Sequence, residues 1–283
     1  MDETVLITGC SSGIGRETAL SFLADGWEVY ATARNPADIE TLGEKGCRIS
    51  TLDVTDDDHV ERVIDEIIDE HGHLDCLVNN AGYAQPGPVE DVPIEQVHAQ
   101  FDVNVYGPLR LARAALSHMR ERGKGTIINV SSAVGRVAVP GMGIYSGSKF
   151  ALEGVSDSLR GEVAEYDVDV VLVEPGPVDT EFHDRASDEV EGVERSGGYE
   201  RFYQMYDDRQ AIDGGMPGAV HPKEVADTIL DAANVQHPDA RYPVGTVAHL
   251  TDYARILPAK WLDKLYGTIS ELSTNDWVKK FFD

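Results

Sequence analysis

Cysteine is scarce in this chain of 283 residues: Cys10, Cys47 and Cys76 are the whole complement. An odd, scattered set supports neither a disulfide framework nor a zinc site. The histidines show no metal-ligand spacing. The closest pair, in His71-Gly72-His73, ends a helical pattern and reads as a solvated helix end. No metal is expected. Also missing is any run of about 18 apolar residues, so no membrane span is expected. The start, Met1-Asp2-Glu3 followed by Val5-Leu6-Ile7, shows no basic leader, which predicts a cytoplasmic protein. Basic residues are few, 24 Lys and Arg against 50 Asp and Glu, for a net charge of −26. A polyanion of this kind repels phosphate backbones, which argues against a nucleic-acid partner.

The acids are spread along the chain, as in Asp56-Asp57-Asp58, Asp65-Glu66 and Asp69-Glu70, rather than gathered in a tail. Such a surface suits a salt-rich, halophilic cytoplasm, because the Debye length falls to about 3 Å at 1 M and self-repulsion is screened.

What is present is a large apolar fraction, 42 %, in an alternating pattern. Val5-Leu6-Ile7-Thr8 reads as a strand. A glycine-rich loop follows, then a helix through 17–23 closed by Asp25-Gly26. Further strands are expected at 27–32, 48–53, 74–79, 125–131 and 168–174, with a last one at Tyr242-Pro243-Val244-Gly245. Thr55 reads as the N-cap of a helix carrying Val60, Val63, Ile64, Ile67 and Ile68. A long helix is expected over 97–122. Alternation of this kind predicts an α/β fold, a single-domain, Rossmann-like, doubly wound parallel sheet with helices on both faces. Residues 1–249 form the expected domain. It includes a partly helical substrate lid at about 181–221, carrying Phe202, Tyr203, Met205 and Tyr206. Residues 250–283 form a C-terminal extension. Its Trp261, Leu262, Leu265 and Tyr266 could cover the substrate mouth, join a partner subunit or touch a membrane; packing on the same domain is the favoured reading.

Three features carry chemistry. Gly9, Ser11, Ser12, Gly13, Ile14 and Gly15 lie between the first strand and first helix, where backbone N–H groups and the positive helix end can hold a pyrophosphate. Glycine permits close approach and positive φ there. No Gly-Lys-Ser/Thr follows, so this is not a Walker loop. The second strand ends in Ala31-Thr32-Ala33-Arg34-Asn35. The acid that binds an adenosine ribose in NAD-preferring proteins is missing, and the Arg34 guanidinium can pair with a 2′-phosphate. NADP(H) is therefore preferred, with NAD(H) possible. Finally, Tyr145 and Lys149 are one helical turn apart and share a face. A cation beside a phenol favours the phenolate, so Lys149 is expected to lower the Tyr145 pKa from about 10. Tyr145 would then be a proton donor and acceptor near neutral pH.

These motifs, in this order, resemble the classical short-chain dehydrogenase/reductase family over about residues 4–180. They run from Thr8-Gly9-Cys10-Ser11-Ser12-Gly13-Ile14-Gly15 through Asn79-Asn80-Ala81-Gly82 and Tyr145-Ser146-Gly147-Ser148-Lys149 to Pro175-Gly176-Pro177-Val178-Asp179-Thr180. The resemblance implies that Ser132 hydrogen-bonds the substrate oxygen, that Tyr145 is the acid/base, and that Lys149 also binds the nicotinamide ribose. It implies that Asn104 helps hold a water-linked proton relay and that Asp53 and Val54 touch adenine. Asn80, Ala81 and Gly82 line the cofactor cleft; Pro175, Gly176, Val178 and Thr180 belong to the cofactor set, Thr180 near the carboxamide. Asn79 is expected to tie strands together.

The implied activity is hydride transfer between the cofactor and an alcohol, ketone or aldehyde, with Tyr145 moving the proton and Ser132 fixing the oxygen. The 31–35 and 175–180 segments are similar to the hydroxysteroid and retinol dehydrogenase branch, which implies a bulky apolar small molecule. Val134, Val139, Met142 and Phe182 are candidates for its pocket. Family members form dimers or tetramers through the long helices, so a homodimer or homotetramer is expected. The rivals are a dinucleotide-sensing or scaffold protein on the same fold, and an epimerase or dehydratase. The charge reading has its own test: the melting temperature should rise between low and molar salt, and a melt that does not rise rejects it.

Overall fold

Strands rich in Val, Ile and Leu need cover on both sides, and the helices supply it. The computed structural model describes residues 3–180, 193–207 and 218–254, with 182, 186, 189, 257, 258 and 260–262. Among these residues the strands are β1 (Thr4–Ile7), β2 (Glu28–Ala33), β3 (Arg48–Thr51), β4 (Cys76–Asn79), β5 (Gly125–Val130), β6 (Val168–Pro175) and β7 (Arg241–Val244). They form one all-parallel sheet in the order β3-β2-β1-β4-β5-β6-β7. The helices are α1 (Gly13–Ala24), α2 (Glu40–Lys45), α3 (Asp57–His71), α4 (Ile94–Phe101), α5 (Gly107–Arg122), α6 (Gly143–Val163), α7 (Glu200–Asp207), α8 (Pro222–Asn234) and α9 (Thr246–Ala254). This is the expected doubly wound α/β fold.

Successive strand residues serve opposite faces. Val5 and Ile7 of β1 join Phe22 of α1 and Ile229 of α8 on one side, while Leu6 joins Ile64 of α3 and Leu111 of α5 on the other. An isolated helix the length of α3 is marginal in water. Its buried Val60, Val63, Ile64 and Ile67 contribute about 1.5–3 kcal/mol each, so packing fixes it. The strand order reverses between β1 and β4, and the chain ends of these two strands open a crevice at that switch point.

Several details differ from the sequence reading. The helix expected over 97–122 starts at Ile94 and is interrupted by a π-helical turn at Asp102–Tyr106. The N-cap of α3 is Asp56, whose side chain accepts from His59 N at 3.1 Å. Thr55 instead donates its hydroxyl to Asp53 at 2.8 Å. Of the pair at the end of α3, His71 is half-buried and His73 is buried. His71 Nε2 lies 3.0 Å from the Tyr30 hydroxyl, and His73 is buried with Nε2 3.2 Å from Asp75. The sequence reading passed over α2 and α8, although Val225, Ala226, Ile229 and Ala232 have helical spacing.

The long insertion after β6 is held at its two ends, where Val178 bridges Val220. Its α7 docks on the loop before α4, with Tyr203 donating to Asp91 at 2.6 Å and Tyr199 to Glu90 at 2.7 Å. Of the expected tail contacts, Trp261 is exposed, while Leu265 and Tyr266 lie outside the described residues. Among the described residues no helix is long and apolar enough to cross a membrane.

At the opposite end of the sheet from the crevice, Asp75 is buried. It accepts from Thr4 N at 2.9 Å and from Arg122 at 2.7 Å. Burial opposes its charge, but these bonds hold its carboxyl below the usual range. A depressed folded-state pKa gives stability that is present above the unfolded value and lost as pH falls through the folded one. Asp75→Asn should therefore cost about 1–3 kcal/mol at pH 7. The gap to the parent should close in denaturant melts below about pH 4.

Candidate active site

The C-terminal ends of six strands deliver the predicted residues to one crevice. After β1 the chain turns through Gly9, whose φ is +72°; a Cβ there would stand 2.9 Å from Ala81 Cα. Gly15 has no room for a side chain, because its Cβ would lie 2.3 Å from Gly9 O. Asn80 Nδ2 donates to Thr8 O at 2.9 Å and to Gly9 O at 3.2 Å. Thr8 Oγ1 accepts from Asn80 N at 3.0 Å and Ala81 N at 2.9 Å. The loop is thus stitched to the end of β4. Ser12 caps α1 in extended backbone without a side-chain bond, and the first turn holds no acid. The open N–H groups and positive helix end face the crevice. This donor set, with glycine where bulk would intrude, fits a dinucleotide pyrophosphate.

The crevice is a cavity of about 1150 Å³, above the ~300–1,000 Å³ usual for one small ligand. Gly9, Ser11, Ser12, Gly13 and Ile14 line its loop side, and Arg34, Asp53 and Val54 one end. Arg34 is exposed at the end of β2; against burial, the Asp53 carboxyl is held below its ordinary value first by hydrogen bonds from Thr55 N and Oγ1 and then by the Arg34 charge. Asn80, Ala81 and Gly82 form the wall at β4; Pro175, Gly176, Val178 and Thr180 form the wall at β6. Ser132, Tyr145 and Lys149 reach it from the end of β5 and from α6.

Two predicted residues stand one layer back. Gly15 packs against Gly9 O and Asn80. Asn104, in the π-helical turn, donates to Tyr83 O at 3.0 Å and Ser148 Oγ at 3.1 Å and accepts from Tyr83 N at 3.2 Å. Its Oδ1 also lies against Gly82, where an added Cβ would be 3.1 Å from it and 3.8 Å from Lys149 Nζ. Asn79 lies off the cavity. It donates to Asn129 at 2.8 Å, and Asn129 donates to Ser156 of α6 at 2.9 Å, a buried ladder from sheet to helix.

Burial decides the protonation of the site. Tyr145 and Lys149 are 8 % and 6 % exposed. The Tyr145 phenol is pushed up to about 12 by desolvation, against the lowering effect of its hydrogen bond with Ser132. Lys149 is pulled down to about 8 by desolvation, against the attraction of Glu153. The expected lowering of Tyr145 by Lys149 is therefore overturned. Nζ lies 5.8 Å from the ring centroid and donates to Val130 O at 2.8 Å, and the low dielectric outweighs the cation.

The apolar candidates Val134, Val139, Met142 and Phe182 all line the cavity beside Tyr145, with Phe182 5.8 Å from it ring to ring. Sequence reasoning missed Val247 of α9 and Ala186, which line the same wall. No motif marked them, because the chain folding back after β6 and β7 brings them there. Cys10 lies beneath the glycine loop, its thiol pushed up to about 12 by burial, which leaves it unreactive.

The model of the short chain dehydrogenase family matches residues 3–191. The 3-ketodihydrosphingosine reductase of Bacteroides thetaiotaomicron is 34 % identical over 249 residues, covering 88 % of this chain and 90 % of its own. Retinol dehydrogenase 8 of Homo sapiens is 39 % identical over 204 residues, 69 % of this chain and 65 % of its own. Among solved structures, a short chain dehydrogenase from Burkholderia cenocepacia in complex with NADP superposes with a TM-score of 0.74. It has 26 % identity and covers 94 % of this chain and 97 % of its own.

Proposed function

This chain belongs to the short chain dehydrogenase family and is an oxidoreductase; within that family we propose that it interconverts an apolar alcohol and the corresponding ketone or aldehyde with NADP(H). The observation that carries the reading is the buried Tyr145 phenol at a cavity wall it shares with Ser132, with Lys149 beside its ring. When bound, the nicotinamide supplies or accepts the hydride. Ser11, Ser12, Gly13 and Ile14 hold the pyrophosphate, Asp53 and Val54 border the adenine, and Arg34 pairs with the 2′-phosphate. Asn80 to Gly82, Pro175, Gly176, Val178 and Thr180 enclose the nicotinamide half, and Lys149 binds its ribose. The NADP held by the Burkholderia protein supports this choice; NAD(H) is the weaker alternative.

Ser132 fixes the substrate oxygen and Tyr145 delivers the phenolic proton as negative charge grows there. A phenol near 12 is protonated at neutral pH, which suits the donor role. Lys149, near 8, is cationic at pH 7 and offsets the charge left on the phenolate. Asn104 keeps Tyr83 and Ser148 in place beside Lys149, where water can pass the proton onward. The apolar wall at Val134, Val139, Met142 and Phe182 favours a bulky, water-poor substrate, in keeping with the names of the two relatives. Residues around 181–221 act as its lid. Exposed Tyr106 and Phe150, beside α5 and on α6, mark the helices for a homodimer or homotetramer contact.

Two variants test the assignment. Tyr145→Phe should keep NADPH binding by fluorescence and lose about 10²–10⁴-fold in turnover on a carbonyl panel read by nicotinamide absorbance; full turnover would exclude the role. Arg34→Asp should weaken NADPH by about 10–100-fold relative to NADH, and an unchanged ratio of the two would remove Arg34 from cofactor choice.

A further inference from the structure

A chain of buried charges lies behind Lys149, and the reaction scheme leaves it unused. Glu153 follows Lys149 by one turn of α6 and is 5 % exposed; Glu174 of β6 is 1 % exposed. Arg241, the first residue of edge strand β7, reaches both. Its Nη2 donates to Glu153 Oε2 at 3.0 Å and to Asp157 Oδ2 at 2.8 Å, and its Nε lies 3.0 Å from Glu174 Oε1. From the turn after β5, Arg136 donates to Glu174 Oε1 at 2.8 Å. The charged groups facing Glu153 are therefore Lys149 and Asp157 on its own helix, Glu174 on β6 and Arg241 on β7, with Arg136 behind Glu174. Gly135 seals the cluster. A Cβ there would stand 2.9 Å from Ser131 Oγ and 3.1 Å from Lys149 Cβ, so the turn closes directly onto the helix.

The placement has an electrostatic consequence. Two buried carboxylates side by side disfavour each other's charge, and burial disfavours both. Without a guanidinium at Arg241, Glu153 would be driven towards its neutral form, and Lys149 would lose the negative charge one turn along α6. We propose that Arg241 is a positioning residue for the reaction: it holds Glu153 as a carboxylate beneath Lys149 and thereby keeps Lys149 cationic behind Tyr145. The inference rests on the role given above to Lys149. Burial and Glu174 push the Glu153 carboxyl above its ordinary value, against the lowering effect of Ser131 and Arg241, and burial brings Lys149 down to about 8. The loss of the Arg241 charge therefore shifts Glu153 further towards its neutral form. The sign follows from which charge acts on which. Glu153 is the charged neighbour that acts on Lys149, and Arg241 acts on Glu153.

A purely structural brace between α6, β6 and β7 would lower stability and leave the ammonium alone, so the deciding readout is the titration of Lys149 itself. The full-length protein, labelled with ¹³C at lysine Cε, is titrated by NMR through the neutral and alkaline range. The Lys149 signal is identified by its loss in Lys149→Met. The parent midpoint is expected near 8. Arg241→Met and Glu153→Gln should each lower it by about one pH unit or more. The double variant should go no lower than Glu153→Gln alone, because both act through one carboxylate. Arg241→Lys should recover most of the parent value. The alkaline limb of NADPH-linked carbonyl reduction should move with the midpoint. A midpoint that stays put or rises in Arg241→Met, with only the melting temperature falling, overturns the proposal. If that variant does not fold, an unmoved midpoint in Glu153→Gln overturns it equally. Turnover surviving in Lys149→Met would instead sink the role of Lys149, and the midpoint shifts still report separately on Arg241.

Discussion

The architecture of the crevice depends on one junction, where the ends of β1 and β4 meet and the strand order departs to either side. Asn80 spans the gap with its amide on Thr8 O and Gly9 O, and Thr8 returns the contact to the backbone of Asn80 and Ala81. Each bond adds only about 1 kcal/mol net, but an unmade one here would leave a shielded polar group unsatisfied at greater cost. Gly9 and Gly15 allow the approach, since a side chain at either would strike backbone. With the junction closed, the start of α1 points into the space that the diverging strands leave open.

The second constraint is low dielectric. Packing α6 against β5 and β6 removes Tyr145, Lys149 and Glu153 from water together. The same burial raises the phenol and the carboxyl and lowers the ammonium. Protonation at the site is therefore set by which charges face which, including residues such as Glu174 and Arg241 that never touch the cavity. The ladder Asn79–Asn129–Ser156 and the carbonyl of Val130 hold the helix in the register these pairings require.

Much of this was legible along the chain. Val5-Leu6-Ile7 and its counterparts announce strands buried on both faces, and the spacing of Val60, Val63, Ile64 and Ile67 announces α3. The glycine loop, Arg34, Ser132 and the Tyr145–Lys149 pair could be named because each belongs to a short motif with a fixed geometric purpose. The π-helical turn around Asn104 could not be read, since one extra backbone residue in a turn leaves the hydrophobic period almost intact. Asp56 displaced Thr55 as the cap of α3 because the Thr55 hydroxyl was drawn to Asp53. His73 left the solvent because Asp75, two residues on, carries a buried charge beside it.

Local periodicity and short-range motifs set the alternation of elements, the parallel sheet, the family and the residue types available for chemistry. Tertiary structure decided the electrostatics and the shape of the substrate wall. A four-residue spacing says that Tyr145 and Lys149 are neighbours. Only the folded chain says how much water is lost around them, and that loss reverses the direction in which the phenol shifts. It also brings Arg241 within hydrogen-bonding distance of Glu153, and Val247 to the cavity that Val134 and Met142 line. Charge interactions and cavity walls depend on distances between remote segments, which no linear spacing encodes.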